Sequence, residues 1–388
     1  PRPFRKMSEN STAQSRITVY KFGGSSVSSP VGLKTAKRQD ELNSPSFFVF
    51  SAAGKNAYSP YKLTDLLINL CKSNQKSQAI TAVKNKLKNF FSVIYDISFL
   101  NGNKQEKHAF VTVQTKNAMK TVAEKPSDYA FTVSRGEFIT AKAINDFIVK
   151  GVFVPAEKLF VFYNGRLDLE KTKTAFSFYL SRIKGNHSVV TSGFYGADEN
   201  GKICLLPRGG GDLSGAIAAK CLNAKMYVNY TDVGGIKNAP PSYVKNAKTI
   251  NKISYNNLKI LCGQGASVFS KEAADFVCRN KIKTVIKSSF GGDGQTRTIK
   301  KRNYPFKALT VTRQNYDYKA TDRDVHVIFL AGKSFRSKKF SHSIKTYLKS
   351  EFLSDFMCLQ KTKNGLKIKV SGKKQAAEAI EKIYKNFL

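Results

Sequence analysis

Short apolar runs rich in Val, Ile, Phe and Tyr alternate along this chain with longer amphipathic stretches. The apolar runs have the length of buried strands, and the stretches between them have helical periodicity. The predicted strands are Ile17–Phe22, Phe47–Ser51, Leu159–Tyr163, Ser188–Ser192, Lys225–Thr231 and Thr284–Ser288. The predicted helices are Lys62–Lys72, Ala79–Tyr95, Phe110–Glu124, Phe138–Lys150, Leu169–Lys184, Ser214–Leu222 and Lys271–Asn280. This alternation predicts an α/β fold with a mostly parallel sheet sandwiched by helices.

The pattern changes after the segment Gly291–Asn303, which is glycine-rich and then basic. In chain order there follow a strand Val325–Ala331, a helix Ser337–Ser350, strands Asp355–Gln360 and Leu366–Val370, and a helix Lys374–Leu388. This order predicts a small α+β unit of βαββα type. With 388 residues, 41% of them hydrophobic, the chain is long enough for two domains.

The chain carries 65 Lys and Arg against 27 Asp and Glu, a formal charge of +38. Such a charge suits a nucleic-acid or acidic-membrane partner. However, the lysines are spread along the whole chain, and no stacking-aromatic or zinc motif accompanies them. We therefore favour a generally basic surface and expect no nucleic-acid partner.

No apolar run approaches the roughly 20 residues that a membrane helix needs, so no membrane association is expected. The polar, basic start Pro1–Arg16 does not have the pattern of a secretory signal. The six cysteines lie far apart, form no Cys-x-x-Cys pair and are accompanied by only four histidines. This usage is typical of reduced thiols in a cytoplasmic protein rather than of zinc sites or disulfides.

A first motif, Lys21-Phe22-Gly23-Gly24-Ser25, ends the first predicted strand. Because Gly23 and Gly24 have no Cβ, backbone N–H groups there can approach a phosphate closely. Lys21 can stabilise the charge of a transferring phosphoryl group. Two glycines alone would favour the alternative, an ordinary turn beside a solvated lysine.

The second and third motifs supply hydroxyl and carboxylate groups. Ser51-Ala52-Ala53-Gly54 follows the second predicted strand, and Thr64-Asp65 begins a predicted helix, where either side chain could act as its cap. Ser134-Arg135-Gly136-Glu137 has the spacing of a capping box, which this spacing alone favours. A buried Glu137 at a cleft would instead bind an ammonium group.

A fourth motif combines Thr191–Gly196 with Pro207-Arg208-Gly209-Gly210-Gly211-Asp212-Leu213-Ser214. A glycine-rich loop leading into a helix offers free N–H groups to an anion, and Arg208 can bind a carboxylate with two hydrogen bonds. The nearby Gly196-x-x-x-x-Gly201-Lys202 resembles part of a P-loop. Because Ile203 stands where a P-loop has Ser or Thr, we predict a β-turn there.

The fifth motif, Thr231-Asp232-Val233-Gly234-Gly235, follows another predicted strand. Asp232, expected to be buried, could accept a hydrogen bond from a ribose or amino group or position phosphate-bound Mg²⁺. Lys248, further along the chain, could reach the phosphates. An Asx-turn at Asp232 and a solvated Lys248 are the structural alternatives.

Together the five motifs, in this order from Lys21 to about Ile299, resemble those of the aspartate kinases within the amino-acid kinase family. The Ser-Arg-Gly-Glu element separates these enzymes from the acetylglutamate, glutamate and uridylate kinases. The resemblance implies a three-layer fold and ATP-dependent phosphorylation of the L-aspartate side chain to 4-phospho-L-aspartate. That reaction is the first step of lysine, threonine and methionine biosynthesis. It also implies Mg²⁺, carried on the co-substrate ATP, and no protein metal site.

The resemblance assigns a role to each matching residue. The catalytic residues it implies are Lys21 and Asp212. The aspartate-binding residues it implies are Ser51, Thr64, Glu137 and Arg208. The ATP-binding residues it implies are Gly23, Gly24, Ser25, Gly209, Gly210, Thr231, Asp232 and Lys248.

The C-terminal βαββα unit resembles an ACT regulatory module. Such modules in this family pair across subunits and bind an end-product amino acid, so a homodimer is expected. The predicted domains are residues 1–16, a disordered basic arm; 17–300, the catalytic domain; 301–323, a linker and remnant of a first ACT module; and 324–388, the complete module. With one complete module instead of the usual two, we expect weak or absent inhibition by lysine or threonine.

Three positions depart from the family pattern. Gly211 replaces a serine, Pro240-Pro241-Ser242 replaces Asp-Pro-Arg, and Ser270-Lys271 replaces His-Pro. These changes leave open an alternative, a degenerate relative that binds its ligands with weak or no turnover. The joint retention of Lys21, Glu137, Arg208 and Asp212 argues against it.

Overall fold

The computed structural model describes residues 17–43, 45–57, 59–99, 101–207, 209–266, 268–292, 294–300, 307–314, 325–332, 335, 337–351, 356–362, 364–371 and 373–388. The chain divides into two compact units, residues 1–233 with 282–292 and residues 234–281 with 293–388. The predicted N-terminal arm, residues 1–16, lies outside the described residues.

A parallel sheet forms the centre of the first unit. Its strands there are β1 (Thr18–Phe22), β2 (Phe47–Phe50), β3 (Val152–Phe153), β6 (Val189–Ser192), β9 (Met226–Thr231) and β11 (Thr284–Ser288). Their order across the sheet is β11-β9-β1-β2-β6-β3. Every neighbouring pair among these strands is parallel. Two hairpins accompany the sheet, β4 (Phe162–Tyr163) with β5 (Arg166–Leu167), and β7 (Tyr195–Ala197) with β8 (Ile203–Leu205).

Helices cover both faces of this sheet. They are α1 (Gly24–Val27), α2 (Pro30–Asn43), α3 (Leu63–Lys72), α4 (Lys76–Ser98), α5 (Lys104–Ala123), α6 (Tyr129–Ile144), α7 (Ala156–Leu159), α8 (Leu169–Leu180) and α9 (Gly210–Cys221), with a π-helical turn at Asn145–Val149. Tyr20 and Phe48 lie on one face, in a buried cluster with apolar side chains of α2 to α6. Phe47 points to the opposite face and packs against Phe176 of α8. The predicted three-layer α/β architecture is therefore confirmed.

The second unit contains a parallel strand pair and a separate antiparallel sheet. Its strands are β10 (Lys252–Ser254), β12 (Gln295–Ile299), β13 (Ala308–Gln314), β14 (Val325–Ala331), β15 (Phe356–Thr362) and β16 (Gly365–Ser371). Its helices are α10 (Tyr255–Gly263), α11 (Lys271–Asn280), α12 (Lys338–Glu351) and α13 (Lys373–Phe387). β14, α12, β15, β16 and α13 follow the βαββα order predicted for an ACT-like module.

β13 lies at one edge of the antiparallel sheet, whose order is β13-β14-β16-β15. All seven of its residues pair with β14. The segment predicted as the remnant of a first module thus contributes a strand to the sheet of the complete module. The boundaries 17–300, 301–323 and 324–388 stay predictions.

Two further expectations can be compared with the structure. The predicted strand Leu159–Tyr163 forms only in part, because Leu159 ends α7. Phe160 is extended, Val161 makes a single bridge with Ala197, and Phe162–Tyr163 is the strand β4 of a hairpin. The β-turn predicted in place of a P-loop is confirmed, since Gly201 N donates to Asp198 O over 3.0 Å between β7 and β8. The Asp198 side chain also accepts from the backbone N–H groups of Asn200 and Lys202. No helix in the described part of the chain combines the length and the apolar character needed to cross a membrane.

Candidate active site

The carboxyl ends of five neighbouring strands, β6, β2, β1, β9 and β11, meet at one edge of the parallel sheet. Backbone hydrogen bonds tie these ends together, Gly23 N to Tyr230 O (3.1 Å), Ser51 N to Phe22 O (3.1 Å), Gly193 N to Phe50 O (3.0 Å) and Ser289 N to Thr231 O (2.9 Å). Parallel strands present the residues that follow them at the same edge. Motifs far apart in the sequence are thereby brought side by side.

Lys21 and Asp212 form a buried ion pair at this edge. The Lys21 Nζ lies 2.6 Å from Asp212 Oδ1, and their side chains are 9% and 13% exposed. Asn229 Nδ2 donates to the same oxygen over 3.4 Å, and the Tyr227 hydroxyl donates to the Asp212 carbonyl over 2.9 Å. The ammonium group is therefore held by a carboxylate in the first turn of α9. A Cβ placed on Gly23 would lie 3.5 Å from Nζ, so the same lysine also borders the first glycine motif.

The two glycine-containing loops after β1 and β2 touch through their backbones. Gly54 N donates to Gly24 O over 2.9 Å. A Cβ on Gly24 would lie 2.8 Å from Ala52 O and 3.1 Å from the Gly54 Cα. A side chain at Gly24 would force the loops apart, so this close approach requires glycine.

The first turn of α9 lies against the end of β2. Gly209 is the N-cap and has a φ of 78°, a left-handed conformation that favours glycine. The first N–H groups of this twelve-residue helix have no intrahelical acceptor and create a positive end. A Cβ on Gly211 would lie 2.6 Å from Ser51 Oγ and 3.4 Å from Lys21 Cε. Gly211 therefore leaves room for the Ser51 hydroxyl beside Lys21.

Glu137 lies in the middle of α6, so the capping-box interpretation is wrong. The N-cap of α6 is Asp128, whose side chain accepts from Phe131 N. Glu137 is 5% exposed. Its Oε1 accepts from Thr64 Oγ1 over 3.4 Å, and its Oε2 has no hydrogen-bond partner among the described residues. Burial raises the Glu137 pKa to about 8, while the backbone amides of Glu137 and Ala52 and the Thr64 hydroxyl lower it.

The alternative role for the start of α3 is also wrong. Lys62 is the N-cap of that helix and makes no side-chain capping bond. Thr64 lies inside the first turn, with its hydroxyl directed to Glu137. Glu137, Thr64 and the backbone of Ala52 thus form one polar group next to Ser51.

The remaining predicted residues are less closely connected. Ser25 is half-buried in α1, and Thr231 ends β9 with its hydroxyl donating to Asp232 Oδ1 over 3.0 Å. Asp232 is exposed, which corrects the expectation that it is buried. Lys248 is exposed in the second unit, where its backbone N–H donates to Asn238 Oδ1. Arg208 lies outside the described residues.

Two polar residues that the sequence analysis missed lie close to this group. Asn229 is fully buried and donates to Asp212. Lys86 is buried on α4, and its Nζ donates to Gly54 O. The signal for Lys86 was present, because it follows Ala79 and Val83 on the apolar stripe of a predicted helix, where a lysine is unusual.

Comparisons with known proteins agree with this architecture. The family model described as "Amino acid kinase family" matches residues 16–288. The chain therefore belongs to the amino acid kinase family. Aspartokinase 3 of Bacillus subtilis is 26% identical over 299 residues, which cover 74% of this chain and 64% of that protein. Aspartokinase 1 of the same organism is 27% identical over 285 residues, which cover 72% of this chain and 60% of that protein.

The chain thus spans somewhat less than two thirds of the length of these relatives. Among solved structures, an aspartate kinase of Clostridium acetobutylicum superposes with a TM-score of 0.73 at 21% identity, over 96% of this chain and 100% of that one. Aspartokinase III of E. coli, solved with aspartate and ADP, gives 0.63 at 20% identity, over 92% of this chain and 79% of that one. These two likenesses establish the fold.

Proposed function

We propose that this protein is an aspartate kinase, which transfers the γ-phosphoryl group of ATP to the side-chain carboxylate of L-aspartate. The product is 4-phospho-L-aspartate, and the reaction begins the route to lysine, threonine and methionine. The observation that carries the proposal is the buried Lys21–Asp212 pair beside Ser51, at the edge where the glycine loops meet. The similarity to two aspartokinases over more than 70% of this chain supports the choice of substrate.

Lys21 and Asp212 are the proposed catalytic residues. In the phosphoryl-transfer transition state, negative charge spreads over the three oxygens of the transferring group. A fixed ammonium group in a site with little water stabilises that charge more than a solvated one does. Asp212, 2.6 Å from Nζ, keeps the ammonium group in place before ATP binds. Asn229 and Tyr227 in turn hold Asp212.

The glycine loops form the proposed phosphate site. Gly23, Gly24 and Ser25 follow β1, and Gly209 and Gly210 begin α9, whose N–H groups favour an anion. Thr231, Asp232 and Lys248 are the proposed contacts to the rest of the nucleotide. Their exposed or half-buried side chains are accessible to a ligand.

Ser51, Thr64, Glu137 and Arg208 are the proposed aspartate-binding residues. The unpartnered Glu137 Oε2 suits the ammonium group of the amino acid, because a cation there would compensate the buried carboxylate. Ser51 would donate to the acceptor carboxylate beside Lys21. Arg208 would bind the α-carboxylate through two hydrogen bonds.

The acceptor carboxylate is already ionised at neutral pH, so the reaction needs no general base. A carboxylate oxygen bonds to the γ-phosphorus while the bond from phosphorus to the β–γ bridging oxygen breaks, and ADP leaves. Mg²⁺ on ATP would neutralise part of the phosphate charge. Among the described residues no cluster of three His, Cys, Asp or Glu could hold a metal. The phosphates of ATP would be its main ligands, and Asp232 is the proposed protein contact to it.

The assembly and location of the enzyme are further parts of the proposal. The ACT-like sheet of the second unit suits pairing with a second copy, so we propose a homodimer. The spacing of the cysteines supports a cytoplasmic location.

ATP-dependent formation of aspartyl hydroxamate tests the proposed reaction, because hydroxylamine captures the acyl phosphate. We expect product from L-aspartate and at most a trace from L-glutamate, whose extra methylene displaces its carboxylate. Lys21→Ala should lower kcat by about 10²–10³-fold. Lys34→Ala, an exposed lysine of α2, is the control and should leave the rate unchanged. Failure of the wild-type chain to form aspartyl hydroxamate would contradict the proposal.

A further inference from the structure

Lys86 is a charged residue that the proposed mechanism does not use. It lies on α4, is 2% exposed, and its Nζ donates a hydrogen bond to Gly54 O. No carboxylate of the described residues forms an ion pair with it. Burying an ammonium group without a counter-ion is costly, and natural lysines rarely lie in such places. The position therefore indicates a role other than stabilising the fold.

The acceptor of Lys86 belongs to the second glycine motif. Gly54 O also accepts from Ser28 Oγ over 3.1 Å, and Gly54 N donates to Gly24 O over 2.9 Å. A single peptide segment thus connects α4 with the loop that holds Gly24. Because the Gly24 and Gly54 backbones are in close contact, a displacement of Gly54 would move the proposed phosphate loop.

We propose that Lys86 is a positioning residue for ATP. Its buried ammonium group fixes the Gly54 carbonyl, and the fixed Gly54 N–H holds the backbone of Gly24 where it receives the nucleotide phosphates. The inference rests on the proposed function, because it takes Gly23 and Gly24 to be phosphate contacts.

The electrostatics of the site are consistent with this role. Burial lowers the Lys86 pKa to about 8, so the side chain still carries its charge at neutral pH. A charged donor makes a stronger hydrogen bond to a carbonyl than a neutral one does. The charged hydrogen bond from Lys86 thus restricts the loop that contains Gly54, although burying the charge destabilises the fold.

Replacing Lys86 by methionine tests the role, because methionine is also unbranched and lacks the charge. We expect Lys86→Met to unfold at or above the wild-type temperature, since a buried charge is removed. Its affinity for ADP, measured by calorimetry, should fall about tenfold, which is about 1.4 kcal/mol. In the hydroxamate assay KM for ATP should rise similarly, while KM for aspartate stays within twofold. Lys84→Met and Lys88→Met, exposed lysines of the same helix, should leave all these values unchanged.

ADP affinity and KM for ATP within twofold of the control variants would overturn the inference, and so would an equal rise in both KM values. Lys86→Gln keeps an uncharged donor, and it replaces the methionine variant if that one does not fold. Lys86→Gln should bind ADP several-fold more weakly than Lys84→Gln does. Equal ADP affinities of these two variants would overturn the inference. A wild-type chain that binds ADP but forms no aspartyl hydroxamate contradicts the proposed function alone. A wild-type chain that binds no ADP contradicts both.

Discussion

At the scale of single residues, close contacts between side chains fix the geometry of the candidate site. Lys21 is restrained by Asp212, Asp212 by Asn229, and the Ser51 hydroxyl fills the space that Gly211 leaves open. A serine, usual in the family at position 211, would compete for that space. We infer that Ser51 supplies, from the neighbouring strand, a hydroxyl next to Lys21.

Replacement of Gly211 by alanine should weaken the binding of aspartate without lowering the stability of the fold. The added Cβ would lie 2.6 Å from Ser51 Oγ, and the hydroxyl can rotate away, so the fold should tolerate the change. Because alanine favours a helix by about 1 kcal/mol over glycine, the free energy of unfolding should stay equal or rise slightly. KM for aspartate should rise about tenfold, an order of magnitude expected for one lost hydrogen bond.

Gly263→Ala is the matched control, because a Cβ there would meet no atom within 4 Å. Its kinetic constants should equal those of the wild type. An unchanged KM for aspartate in Gly211→Ala would show that the Ser51 hydroxyl does not contact the substrate.

Glu137 should make stability depend on pH. Its pKa rises from 4.5 to about 8 in the folded protein. Between these values the folded state retains a proton that the unfolded state releases, so this group destabilises the fold as pH rises from about 5 to 8. Glu137→Gln removes the titration. The stability of the variant relative to wild type should increase over this range by more than about 1.4 kcal/mol, the equivalent of one pKa unit.

Thermal or urea unfolding at pH 5 and pH 8 measures this difference. Glu124→Gln, which replaces an exposed glutamate at the end of α5, is the control. If the stability difference between Glu137→Gln and the wild type is the same at pH 5 and pH 8, Glu137 is ionised in the free protein, which would contradict the prediction.

At the scale of elements, the carboxyl ends of the strands converge because the glycine loops pack backbone to backbone. Alanine substitutions at the adjacent residues Gly24 and Gly23 test this backbone packing. A Cβ at Gly24 would lie 2.8 Å from Ala52 O, whereas a Cβ at Gly23 would meet nothing closer than 3.5 Å. Gly24→Ala should therefore lower the free energy of unfolding by about 1–3 kcal/mol, and Gly23→Ala by less than about 1 kcal/mol. Denaturant unfolding of both variants gives the comparison, and equal losses would contradict the packing described here.

The sequence predicts elements well where hydrophobic periodicity is strong. The runs that become β1, β2, β6, β9 and β11 were all predicted, because buried parallel strands are almost continuously apolar. Val152–Phe153 is too short to give a signal. Leu159–Tyr163 is apolar, but its first residue ends a helical turn and its last two residues lie in a hairpin. Tertiary contacts, rather than the local sequence, determine this difference.

The sequence predicts which motifs form the site, but not how their side chains contact one another. Spacing alone favoured a capping box at Ser134–Glu137, yet Asp128 begins the helix earlier, so Glu137 faces Thr64. The contacts of Lys86 with Gly54 and of Asn229 with Asp212 join residues far apart in the chain. Such pairings follow from strand order, which periodicity does not specify.

At the scale of the whole molecule, the second unit combines the segment containing Lys248 with the ACT-like sheet. Leu309 N of β13 donates to Asn238 O, and Asn238 Oδ1 accepts from Lys248 N. Ala239 and Val244 belong to the same buried cluster as Ile328 of β14. The proposed nucleotide contact Lys248 is therefore part of a unit that shares its core with the proposed regulatory module.

We propose that lysine and threonine inhibit the proposed kinase activity of this chain only weakly. The described residues of the second unit include one ACT-like antiparallel sheet, in which β13 is an edge strand. A paired effector site within one chain would need two such sheets. Hydroxamate formation should therefore change by less than twofold in millimolar lysine or threonine. Sharp inhibition by millimolar lysine would contradict this expectation.

The central claim is that the Lys21 ammonium group, held by Asp212, stabilises the phosphoryl group during its transfer to aspartate. A single-turnover experiment with γ-labelled ATP tests it most directly when ADP affinity is measured on the same samples. We predict that Lys21→Ala and Asp212→Asn bind ADP within about tenfold of wild type, while label transfer to aspartate slows by about 10²–10³-fold. Transfer by Lys21→Ala within a few-fold of the wild-type rate would contradict the account.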